Sequence, residues 1–230
     1  MSALATDPKK FTALGRLSFP PWTYVEALER NKSSDFPKTD DKVSPEFNLL
    51  LTEDELQRLR AHLMEVFLPY TLERGLAKEK SDALQQKYFD LAMKKLETQE
   101  WDSPLPHLPI KPISEKNKEA APEAVASLKI IGPKAGDFQQ KAAVYSEEQL
   151  LRVDEDVLTY PVLKRLDETV FEMYPGALLK ATLNLYAYFG SPTVWGVSAG
   201  ANTAVYMGNM EGERIGGGGA GVDADAIFND

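Results

Sequence analysis

Between residues 174 and 189, hydrophobic and polar positions alternate: Y-P-G-A-L-L-K-A-T-L-N-L-Y-A-Y-F. A period of two is that of a strand whose side chains face opposite sides. Leu179, Ala181, Leu183, Leu185, Ala187 and Phe189 share one apolar face, suited to a core. Lys180, Thr182, Asn184, Tyr186 and Tyr188 share the other, which carries a cation, hydrogen-bonding groups and two rings. Residues 193–198 and 203–207 read as two further strands. Upstream, residues 11–19 read as a first strand, stopped by Pro20 and Pro21, with Arg16 on the face opposite Leu17. Residues 47–51 (F-N-L-L-L) fit a second, buried strand, and residues 124–131 a third, carrying Lys129. Residues 142–145 are a short fourth candidate.

The helical signals cluster in one place. T-E-D-E at residues 52–55 is a capping box, with Thr52 as N-cap. Leu56, Leu59, Leu63, Val66 and Phe67 then recur at helical spacing, and Pro69 ends or kinks this helix. A second helix is predicted from about Ser81, with Leu84, Tyr88, Leu91 and Met93 along its apolar side. Pro104, Pro106, Pro109, Pro112 and Pro122 exclude a long helix or a central strand over residues 102–122. Residues 31–43 read as a polar loop, and S-E-E-Q from Ser146 opens a short helix. Residues 164–173 fit strand or helix equally. The order is strand, strand, helices, then mostly strands. That predicts a mainly β, α+β small barrel with a helical insertion at about 52–122, rather than a parallel sheet of alternating strands and helices.

Composition narrows this picture. At 230 residues, with 43% hydrophobic and 10% aromatic residues, the chain can bury a core. The 26 Lys and Arg against 35 Asp and Glu give a net charge of −9. That argues against a uniformly basic surface and leaves room for a local basic groove, since exposed charges are screened beyond about 8–10 Å. Without cysteine there is no disulfide framework, thiolate metal site or cysteine nucleophile. M-S-A-L-A-T-D-P-K-K-F lacks the apolar run of a signal peptide, and no stretch reaches the ~20 apolar residues of a membrane span. A soluble intracellular protein is the expectation.

Candidate chemistry is sparse. Gly216 to Gly219 lacks the Lys-Ser/Thr of a phosphate loop and reads as a hinge. His62 and His107 have no partners at ligand or triad spacing, so no catalytic residue, metal or cofactor is expected. The carboxylates leave a small acid-base enzyme as a remote reading. Tyr186, Tyr188 and Trp195 fit core packing and base stacking equally well. The end of the chain carries Asp223, Asp225 and Asp230 around the apolar pair Ile227 and Phe228. An exposed apolar pair at a flexible acidic end suits docking to a partner better than solubility alone.

Four segments together resemble a known family: G-R-L-S-F-P at 15–20, Y-P-G with the strand ending Y-A-Y-F at 174–189, W-G-V-S-A-G at 195–200, and G-E-R-I-G-G-G at 212–218. They are similar to phage-encoded single-stranded-DNA-binding proteins, including, more loosely, that of T7-like phages. The resemblance covers about a third of the chain. It implies an OB-fold barrel over residues 1–215 and a hinge with an acidic C-terminal tail over 216–230. It further implies sequence-nonspecific ssDNA binding in phage DNA replication and recombination, frequent homodimers, and a tail that contacts replication or recombination proteins. Such a protein works in the cytoplasm of the infected bacterium. On this chain, Arg16, Lys129, Lys180, Asn184, Tyr186, Tyr188 and Trp195 are the expected DNA-binding residues. Asp223, Asp225, Ile227, Phe228 and Asp230 are the expected partner-binding ones. The alternative is a phage structural or assembly module that binds no nucleic acid.

Overall fold

The computed structural model describes residues 7–18, 24–44, 46–74, 82–132, 152–154, 157–160, 175–176, 178–191 and 194–206. Its core is a barrel of five strands: β1 (Lys10–Leu17), β2 (Glu46–Leu51), β4 (Ala126–Ile131), β7 (Leu178–Ser191) and β8 (Val194–Tyr206). Around the barrel the order is β4-β2-β1-β7-β8, and β8 returns to β4. The closing pair, Ile131 with Gly200, is parallel, while the other four contacts are antiparallel. Numbered within the barrel, the first strand touches the second and fourth, and the fifth touches the third and fourth. This is the Greek-key order of an OB-fold.

Alternation of side chains places the core inside. Phe11, Ala13 and Leu17 of β1 are buried, and so are Ala181, Leu183 and Leu185 of β7. They meet Phe47, Leu49 and Leu51 of β2, Ala126, Leu128 and Ile130 of β4, and Val197 and Ala199 of β8. Strands 193–198 and 203–207, expected as two, are one continuous β8. A register shift opposite Thr182 and Leu183 lets it bend without breaking. A hairpin of β5 (Arg152–Asp154) and β6 (Val157–Tyr160) extends the sheet from the far end of β8.

The seam between β4 and β8 is filled by the proline-rich part of the insertion. His107 donates its N–H to Trp195 O (3.0 Å) and accepts from Val197 N–H (2.8 Å), while Lys129 N–H reaches Pro109 O (2.7 Å). The next residues, β3 (Ile110–Pro112), pair with β4. The backbone of His107 occupies the space a β-carbon at Gly196 would need, so only glycine fits there.

The insertion between β2 and β4 holds α2 (Glu53–Ala61), α3 (Leu68–Arg74), α4 (Asp82–Thr98), β3 and α5 (Glu115–Ala120). Thr52 caps α2 by accepting the Glu55 N–H. Pro69 does not end the helix. A π-helical turn, His62–Phe67, joins α2 to α3. The widened turn, with Leu68 N–H bonded to Leu63 O, accommodates a proline that has no N–H to give and a ring that needs room. Helix α4 buries Gln85, Tyr88, Ala92, Lys95 and Leu96, whereas Leu91, expected inside, is exposed. The misreading has a physical cause. Lys95 takes a core position because its ammonium bonds to Ser103 O (2.5 Å) and Pro106 O (2.9 Å), pinning the proline-rich segment to the helix. Burial lowers the Lys95 pKa, with nearby Asp102 opposing the shift. Arg60 ties α2 to the end of α4 through Leu96 O (2.8 Å).

Helix α1 (Tyr24–Lys32) covers a stretch to which the sequence assigned no element and runs into the first two residues of the expected loop at 31–43. The candidates at 142–145, the Ser146 capping box, residues 164–173, the glycine hinge and the acidic tail lie outside the described residues.

Candidate nucleic-acid interface

The outer face of the barrel is organised in rows, because paired residues on neighbouring strands point the same way. One row runs Lys10, Asn184, Gly200, Ile131, Glu46 across β1, β7, β8, β4 and β2. Another runs Arg16, Leu50, Ser127, Lys111 across β1, β2, β4 and β3. Between them Lys129 pairs with Asn48. Part of this face is covered: Leu50 is buried under Ala121, Ala124 and Ile113, the segment around α5.

The rest opens into a groove of about 600 Å³. Its floor is Glu46 of β2 and Lys129 of β4. Its wall is α1 and the segment leading to β2, contributing Arg30, Asn31, Ser33, Ser34, Phe36 and Lys38. Asn31 shapes this wall: its side-chain amide donates to Lys38 O (2.8 Å) and accepts from Lys38 N–H (2.9 Å). The loop thereby holds Phe36 outward, with 89% of the residue's surface exposed. In OB barrels the face of the second and third strands, with the connection between the first and second, is where oligonucleotides bind. Here those strands are β2 and β4, and that connection carries α1 and Phe36.

No protein-family model matches the sequence, and no curated protein sequence matches it. Among solved structures, the chain is similar to the single-stranded DNA-binding protein from bacteriophage Enc34. The superposition covers 95% of this chain and 90% of that one, with 12% identity and a TM-score of 0.45. The likeness is distant and concerns the fold. The barrel order and the groove rest on the strand pairing and contacts above.

The sequence-derived residues divide into three groups. Tyr186 and Asn184 lie on the open outer face. The Tyr186 ring lies across β8 at Gly200, where a β-carbon would stand only 3.0 Å from Cε1. Gly200 is the partner of Ile131, so this ring borders the β4 side of the groove floor. Partial burial raises the Tyr186 pKa and keeps the phenol neutral, a hydrogen-bond donor, at neutral pH. Lys180 is placed by register opposite Leu14 and Val205, and its side chain lies outside the description.

Arg16 and Lys129 are on the outer face but already paired. Arg16 Nε is 2.6 Å from Glu123, and Lys129 Nζ is 2.7 Å from Glu46. Only Lys129 lines the groove.

Trp195 and Tyr188 lie where α4 meets the β7–β8 hairpin. Trp195 is 5% exposed, and its ring lies 4.2 Å from that of Tyr88 on α4. Tyr88 also meets Phe189 at 5.0 Å. Tyr188 lines the small apolar cavity these rings enclose with Leu68, Ala92 and Pro106, and its pKa too is raised by burial. The helical insertion docks on this end of the β7–β8 hairpin, so the Tyr188 ring, which alternation places outside the barrel, is partly covered.

Phe36, Arg30 and Lys38 were not read from the sequence as functional. A large aromatic alone in a polar run, flanked by Pro37 and Lys38, was the available signal. Among the described residues no three His, Asp or Glu side chains converge as a metal site, and no helix is long and apolar enough to cross a membrane. His62 donates its Nε2–H to Pro8 O (3.0 Å) and packs on Phe11, which is a structural role.

Proposed function

We propose that the chain binds single-stranded DNA without sequence preference, in the groove between α1 and the β2–β4 face. The observation that carries this reading is the exposed Phe36 ring beside Arg30, Lys38 and Lys129 on an OB barrel's oligonucleotide face. An exposed ring stacks on any base, and cations along the same groove neutralise the backbone. Tyr186 extends the stacking surface across β8, and Asn184 offers hydrogen bonds beside it. The wall residues Asn31, Ser33 and Ser34 add polar contacts to phosphate or sugar. A duplex hides its base faces and gains nothing from Phe36 or Tyr186. Single strands are therefore the preferred ligand.

The rest of the reading extends the sequence resemblance. The protein serves phage DNA replication and recombination in the host cytoplasm, without catalysis, as a homodimer. Its tail, through Asp223, Asp225, Ile227, Phe228 and Asp230, docks a replication or recombination protein.

Titration of labelled oligo-dT and of a matched duplex, over a range of salt concentrations, tests the core of the proposal. We expect binding to oligo-dT that exceeds duplex binding, with log K falling by about 0.7 per neutralised phosphate for each tenfold rise in salt. Three groove cations set an upper limit of about 2 for that slope at this site. Equal affinity for duplex, or binding indifferent to salt, contradicts the proposal. An absence of binding favours a phage assembly module.

A further inference from the structure

Two of the three cations in the groove have no carboxylate partner among the described residues: Arg30 and Lys38, both on the wall. The third, Lys129, is on the floor and is held by Glu46 at 2.7 Å. We propose that Glu46 is a resident counter-ion which a DNA phosphate must displace from Lys129, and that it thereby sets the contribution of the groove floor to affinity and salt dependence. This rests on the ssDNA reading above and names a residue that tunes it.

The geometry supports exchange. Both side chains are about one-third exposed, 30% for Lys129 and 38% for Glu46, so the pair is within reach of an incoming anion. The two residues are not opposite each other. Glu46 pairs with Ile131 and Lys129 with Asn48, so the contact is a diagonal one made by two bendable side chains. Neither carboxylate nor ammonium is committed by a further hydrogen bond among those described. Breaking such a pair requires little energy. The strands holding it are paired along the whole of β2, from Glu46 with Ile131 to Leu51 with Ala126, so the Glu46 backbone stays in place and keeps the displaced carboxylate near the groove.

The consequence is selective. A free anion arriving at Lys129 meets only the exchange of one carboxylate for itself, with no net gain of contacts. A nucleic-acid strand arrives with stacking on Phe36 and with Arg30 and Lys38 already engaging its backbone. Only then is Glu46 displaced, and it remains beside the bound phosphate as a like charge. Glu46 therefore lowers the number of counterions released on binding, and so flattens the salt dependence.

The test uses the full chain as wild type, Glu46→Gln, Lys129→Ala and the double variant, each titrated with oligo-dT from low to high salt. Thermal melts verify that each is folded. Glu46→Gln is expected to bind up to about five-fold more tightly at low salt. Its salt slope should be steeper by about 0.7, one more phosphate neutralised. With Lys129→Ala in place, Glu46→Gln should no longer change the slope. Inorganic phosphate alone should not compete with oligo-dT in the wild type. If Glu46→Gln binds like wild type or more weakly, Glu46 is no competitor. If it tightens binding equally with Lys129 absent, it acts through the general field of the groove and the counter-ion role is wrong. Competition by inorganic phosphate at the wild-type groove likewise overturns the selective role. A wild type that does not bind oligo-dT removes the ssDNA reading and this one with it; binding with an unaltered Glu46→Gln slope removes this one alone.

Discussion

Trp195→Ala is expected to destabilise the protein by about 3–5 kcal/mol, the range for removing a buried Trp or Phe. The residue is 5% exposed and its ring packs against Tyr88 at 4.2 Å, so its loss leaves a void where the insertion meets the hairpin. The tilted aromatic contact adds about 0.5–1.5 kcal/mol beyond area burial. Against a typical stability of about 5–15 kcal/mol, this is a large fraction. Urea unfolding followed by circular dichroism reads it as a lower midpoint. Trp195→Phe should recover most of the loss, because a smaller ring still reaches Tyr88. Below its unfolding transition the alanine variant should bind oligo-dT as the wild type does. The converse, normal stability with weak DNA binding, makes Trp195 a stacking residue and refutes its place in the core.

Its neighbour Tyr188, on the other face of the hairpin, shows where sequence reading loses its hold. Period-two alternation in β7 identified Ala181, Leu183 and Leu185 as core, because one face of a strand in a barrel has a single neighbour, the interior. The same rule says nothing about the outer face, which is solvent in one place and covered in another. At Tyr186 the outer face is open, and at Tyr188 it is partly covered where α4 docks, while Trp195, paired with Phe189, is on the inner face. The covering depends on how a helix far along the chain docks, and no local pattern encodes that. The capping box at Thr52 was legible because its hydrogen bond spans three residues. The face of α4 was not, because Lys95 is buried by partners eight and eleven residues away, Ser103 and Pro106. The barrel order was legible only as a class. Its closure depends on residues 107–112 wedging between β4 and β8, a contact of one segment of the insertion with a strand that follows it closely and one more than sixty residues further on.

The groove was hidden for a related reason. Its cations are distributed over α1, the segment before β2, and β4, so they form no run in the sequence. Arg30, Lys38 and Lys129 converge only because the β1–β2 connection folds back over the outer face of the second and third barrel strands. The negative net charge of the chain is no obstacle to this, since screening separates the groove from carboxylates on distant surfaces. What matters locally is Glu46, the acidic residue that lines the groove beside them.

Phe36→Ala is expected to weaken oligo-dT binding by about 1–3 kcal/mol, the value of one stacked base. In affinity this is about five- to 150-fold. The ring is 89% exposed, so truncating it should move the unfolding midpoint by less than about 0.5 kcal/mol equivalent. Stability and binding therefore separate, in the opposite sense to Trp195→Ala. A ring carries no charge, so the salt slope of Phe36→Ala should match that of the wild type while the whole line shifts to weaker binding. Lys38→Ala should do the reverse, flattening the slope by about 0.7 with a smaller shift at high salt. Phe36→Tyr should bind like the wild type, because the π-face is retained. Tyr186→Ala should lose less than Phe36→Ala, since the Tyr186 residue is 44% exposed and its ring already rests on Gly200. Equal binding by the wild type and Phe36→Ala would mean that no base stacks on the groove wall. The stacking surface would then have to be the β7–β8 face around Tyr186, where a matching loss in Tyr186→Ala would locate it.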